Sequence, residues 1–266
     1  MLDGPGHCRR GDRAAGLGMD MKITTFACAV ALLAAAGAAA AALPPIAADS
    51  AALDRAYIPA LMLSNGKDPA KARAAQERYE SAWAEFAQRQ RKAFPGDAGW
   101  TAVLATGDKA NAEARAALAA GKMGDAHNAQ EEVRHALWHQ RQALKVAYQP
   151  DALTDFHATM EVIIATVAGK APGSLGADDV AALRKLVATA RTQWQAVVSA
   201  KWDPADYGLD GARLESYRAA LGAETLALDA LAAAIDAADG ARIAQAAPAI
   251  KPPFAKAYAA FGVFPQ

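Results

Sequence analysis

Residues 178–198 read DDVAALRKLVATARTQWQAVV. Asp178 and Asp179 place negative charge in a first helical turn, where the backbone N–H groups favour it. Val180, Leu183, Val187, Ala190, Trp194, Val197 and Val198 then follow at the helical period of about 3.6 residues. Such a segment buries its apolar stripe as a helix laid on other helices. The chain on either side is written in the same way, and it lacks the period-two alternation of strands.

Working outward, helices are expected at about Ser50–Ser64, from Pro69 to Pro95-Gly96, at Thr101–Ala120, at Met123–Tyr148, and from Pro150-Asp151 to about Ala168. Asp68-Pro69 is an N-cap followed by proline at the first helical position. Ala75, Tyr79, Ala82, Trp83 and Phe86 share one face of the second helix. Lys170–Gly176 reads as a loop, and Trp202-Asp203-Pro204 ends the helix that holds the quoted stretch. Gly211–Ala238 and a last helix towards Phe261 complete the set, with Pro248 and Pro252-Pro253 expected to kink or split the last one. The fold class is all-α: about eight antiparallel helices with short connections.

The two halves, 43–148 and 149–266, resemble each other and suggest tandem four-helix-bundle repeats. Trp83 in RYESAWAEF answers Trp194 in TARTQWQAV, 111 residues on. Gly124-Asp125 answers Asp239-Gly240 at an offset of 114 between the aspartates. LDRAYIPALML and LTDFHATMEVI match poorly.

Met21–Ala42, MKITTFACAVALLAAAGAAAAA, has the layout of a secretory signal peptide, with Ala40-x-Ala42 as a cleavage site. Residues 1–20 are Gly- and Arg-rich and non-periodic. They read as an upstream extension, with translation starting at Met21 or Met19 rather than Met1, or as a disordered leader. The apolar run Phe26–Leu43 is 18 residues, at the short end of the about 17–25 that span a bilayer. The cleavage sites favour removal, so no stable membrane span and a periplasmic or secreted location are expected.

Cys28 precedes most of the apolar core, whereas a lipidated cysteine follows it, and Cys8 lies further upstream. From Leu43 onward there is no cysteine, which excludes disulfides, thiolate chemistry and c-type haem attachment. Lys+Arg and Asp+Glu balance at 28 each, with no clustered positive charge, so nucleic acid is not an expected partner. A protein partner or a second copy remains open.

Leu153–Val162 (LTDFHATMEV), Asp179–Val197 and Asp236–Phe261 resemble helices of the soluble periplasmic b-type cytochromes built as four-helix bundles. GKMGDAHNAQEEVRHALWHQRQ in the first half is similar to that family's last helix. The resemblance implies the bundle fold and puts Met160 at the haem-ligating methionine. Its histidine partner is missing: Tyr258 stands near that place in the second half and Arg141 in the first. Haem b electron transfer is therefore an alternative with an incomplete ligand pair.

Four of the five histidines lie between residues 127 and 157. His127-x-x-x-Glu131 and His157-x-x-x-Glu161 each put an imidazole and a carboxylate on one helical face. Glu132-x-x-His135 has the spacing of di-iron bundles, which need two such motifs. If Gln149-Pro150 turns the fourth and fifth helices into a hairpin, His139 is level with Met160 and His157 with Gln142. His127, Glu131, His135, His139, His157 and Glu161 then form a ligand pool for zinc, copper, nickel or iron.

Against this, Ala126, Val133, Leu137, Gln140 and Leu144 define the buried stripe of the fourth helix. His127, Glu131 and His135 then face water, unless the two halves pack against each other there. Trp83 and Trp194 read as core. No nucleophile motif occurs, and Gly121-Lys-Met-Gly124 lacks the ending of a phosphate loop. The expected function is a non-catalytic exported bundle that binds a ligand, with a transition-metal ion the sharpest candidate and haem electron transfer or a purely structural, partner-binding role as alternatives.

Overall fold

The structure is a computed structural model that describes residues 43–265. The upstream extension 1–20 and the signal segment 21–42, with His7, Cys8 and Cys28, lie outside the described residues. Among those described there are nine α-helices, two short 3-10 segments and no strand. They are α1 (Pro45–Ser64), α2 (Pro69–Ala93), α3 (Ala98–Ala119), α4 (Met123–Ala143), α5 (Gln149–Val167), α6 (Ala177–Ser199), α7 (Gly211–Asp236), α8 (Gly240–Ala249) and α9 (Lys251–Ala259). The last two are the expected eighth helix, divided at Ile250 between Pro248 and Pro252. No helix among the described residues is long and apolar enough to cross a membrane.

Each helix in α1–α4 packs on the next, and α1 also packs on α4, which closes a four-helix ring. In the second half α5, α6 and α7 pack in sequence, and the α8–α9 pair lies between α7 and α5. One apolar core runs through both halves, and the described residues form one compact unit. Each of the two tryptophans bonds to the helix that follows its own. Trp83 on α2 donates to Asp108 on α3 at 2.7 Å, and Trp194 on α6 donates to Thr225 on α7 at 3.1 Å. Both are buried in the core, as their apolar faces predict. Gly124-Asp125 and Asp239-Gly240 are not equivalent: Asp239 caps α8, whereas Asp125 lies inside the first turn of α4.

Asp68 caps α2 as expected, accepting from the backbone N–H groups of Ala70 and Lys71 at 3.0 and 3.1 Å. Helix α1 starts five residues earlier than Ser50, on Pro45. Its interior Pro59 has no N–H to give the Arg55 carbonyl four residues back. Val263 N–H takes that place, donating to Arg55 O at 2.8 Å and tying the C-terminal segment to α1.

Helix α4 ends at Ala143, five residues short of the expected Tyr148. Val146 N–H donates to Arg141 O and Lys145 N–H to Gln142 O, a Schellman end with Lys145 at φ +54°. This shifts the register between α4 and α5. Arg134 lies opposite His157 and Arg141 opposite Asp151, so His157 is not level with Gln142. The two helices meet through these long side chains rather than through closely packed backbones.

Candidate functional site

Four helices surround a cleft of about 410 Å³. Helix α1 contributes Leu61 and Met62, and α4 contributes His127, Glu131 and Arg134. His157 and Glu161 come from α5, and Lys251, Phe254 and Tyr258 from α9. The polar stripe of α4 thus lies between the two halves. That arrangement brings four of the six residues singled out for metal binding onto one cleft. The other two do not reach it. His135 is exposed, with Nε2 3.9 Å from Glu131, and His139 is exposed with its ring edge-on to Trp138.

Hydrogen bonding fixes the protons. The guanidinium of Arg134 can only donate, and it donates to His157 Nδ1 at 2.8 Å. His157 therefore carries its proton on Nε2, which faces Glu161 Oε1 at 3.4 Å. Burial first, and the Arg134 charge beside it, push the His157 pKa down despite Glu161. Glu161 is held down to about 2, chiefly by His157 and by Lys251 Nζ at 2.8 Å. The Phe254 ring stacks on the imidazole at 5.1 Å between centroids. With Nδ1 accepting and Nε2 protonated, His157 has no lone pair to offer a metal.

Across the cleft, His127 Nδ1 donates to the Leu61 carbonyl at 2.9 Å, which leaves Nε2 3.5 Å from Glu131 Oε1. The other Glu131 oxygen accepts from Arg134. A single guanidinium thus joins the two His–Glu pairs, in the place a bridging cation would take. Among the described residues no three His, Cys, Asp or Glu side chains converge as a metal ion requires.

Both residues matched to the haem pair are buried. Met160 is fully buried in the core, and Tyr258 lines the cleft. Burial, helped by the Asp54 charge, raises the Tyr258 hydroxyl well above its usual range. Arg141, at the other position matched to a haem ligand, is buried and spoken for. It pairs with both Asp151 oxygens, reaches Ser50 at 3.2 Å, and lies over the Tyr148 ring. Tyr148 in turn donates to Asp54 at 2.6 Å.

Reading the sequence missed Arg134, Lys251 and Phe254. Arg134 and Arg141, seven residues apart, share a face of α4, and that spacing was the available signal for a second buried face. Lys251 and Phe254 carry no such signal, because they reach the cleft only once α9 folds back across α5.

No protein-family model, no curated protein and no solved structure matches this chain.

Proposed function

We propose that this is an exported, non-catalytic helical-bundle protein that holds a small ligand in the cleft between α1, α4, α5 and α9. One observation carries the reading: six charged or imidazole side chains from three helices meet there, opposite an apolar wall. Its size suits a small organic molecule, since such sites run from about 300 to 1,000 Å³. Its charged groups are already paired with each other, which suits holding and orienting a ligand more than turning one over.

A transition-metal ion is the second reading, favoured by the two His–Glu pairs that line the same cleft. It requires Arg134 to swing off His157. Haem gains nothing from the placement of Met160 in the packed core.

Purification from the native compartment separates these readings, with a visible spectrum, metal content and native mass spectrometry recorded together. The proposal predicts a bound organic mass that Arg134→Met abolishes. Metal in stoichiometric amount, increased by Arg134→Met and lost in His157→Ala/Glu161→Ala, would support the second reading instead. A Soret band would revive haem, and a protein with nothing bound would leave a structural role.

A further inference from the structure

The unsatisfied polar atoms of the cleft describe the ligand. Arg134 is only 5% exposed, and although its terminal nitrogen serves Glu131 and His157, its Nε–H has no acceptor among the described residues. A buried donor left so is unfavourable, and a ligand oxygen would supply the missing acceptor. Lys251, half-exposed at the rim, pairs with Glu161 alone among the described residues and has protons to spare.

The opposite need stands beside it. The Leu61 carbonyl accepts from His127 Nδ1, and in the tautomer protonated there Nε2 is an acceptor, 3.5 Å from Glu131 Oε1. Two acceptors at 3.5 Å call for a donor between them. The lining charges also cancel, with Arg134 and Lys251 against Glu131 and Glu161. An anion or a cation would leave this half-enclosed site with an uncompensated charge, whereas a molecule carrying both signs would not.

We propose that the cleft takes a small zwitterion of amino-acid type with an apolar side group. Its carboxylate faces Arg134 Nε and Lys251, and its ammonium sits between His127 Nε2 and Glu131. The side group lies on Leu61, Met62, Phe254 and Tyr258. The inference rests on the cleft being the ligand site and adds the class of ligand.

The test titrates phenylalanine, leucine, 3-phenylpropanoate and phenethylamine into the full-length mature protein by calorimetry, with thermal shift alongside. Either zwitterion should bind about tenfold or more tightly than both singly charged analogues, a difference of about 1.4 kcal/mol. Arg134→Met should weaken it by a similar factor. Lys251→Met, at a half-exposed position, serves if the first variant does not fold. Equal binding of either singly charged analogue, or no binding of any of the four, overturns the zwitterion. In the first case sensitivity to Arg134→Met would still uphold the cleft as the site. In the second, an organic mass copurifying with the native protein would uphold it.

Discussion

Arg134 on α4 and His157 on α5 meet at 2.8 Å across the seam between the two halves of the molecule. That contact sets the imidazole tautomer, links two His–Glu pairs and excludes a second cation from the space between them. Arg134→Met leaves Glu131 without its charge partner. Because Glu131 retains some solvent, the expected loss is about 2–4 kcal/mol in urea unfolding, at or below the about 3–5 of a fully buried pair. In that background His157→Phe should cost less than it does in the wild type, since the shared contact is already gone.

Asp54 sits in the buried network around Arg141. Burial raises its pKa to about 6, against the opposing pull of Arg141 and Tyr148. The folded state then binds a proton more tightly than the unfolded chain does. Stability should fall as pH rises from about 4 to 6 and level off above. Asp54→Asn keeps an acceptor for Tyr148 and should remove that slope, gaining on the order of 2–3 kcal/mol at pH 7. Denaturant midpoints measured across this window check it.

Glu224 on α7 is fully buried, and among the described residues neither carboxylate oxygen has a hydrogen-bond partner. Burial pushes its pKa up to about 8. The same sign applies: the folded state holds the proton, so stability declines as pH rises from about 4.5 to 8. Glu224→Gln should match the wild type at pH 5 and exceed it by a few kcal/mol at pH 9. Equal melting temperatures at the higher pH would contradict this account of the site.

Lys145 and Ala238 end α4 and α7 in the left-handed region, at φ +54° and +51°. Each closes a Schellman motif that glycine completes without strain at α3, where Gly121 stands at φ +72°. Lys145→Gly and Ala238→Gly should each raise stability by about 1 kcal/mol, read from urea midpoints.

Helix ends marked by Gly, Pro or Asp were legible from the residues: Asp68-Pro69, Gly121, and the prolines that divide the last helix. The end of α4 was not, because a lysine stands where the backbone turns left-handed and nothing in the sequence announces it. That error carried the α4–α5 register with it and paired His157 with Gln142 instead of Arg134. The site was half legible for a related reason. Spacing of four residues shows which side chains share a helical face, so His127–Glu131 and His157–Glu161 were found. Spacing along one helix does not show what another helix lays against that face. The countercharges Arg134 and Lys251 became visible only through packing.

Long-range 1H–15N correlation of the His157 ring in the folded protein at neutral pH tests the central claim directly. With Arg134 on Nδ1, the spectrum should report an unprotonated Nδ1 and a protonated Nε2, with the ring titrating below its ordinary range. Protonation at Nδ1, a doubly protonated ring, or a pattern unchanged in Arg134→Met would contradict it.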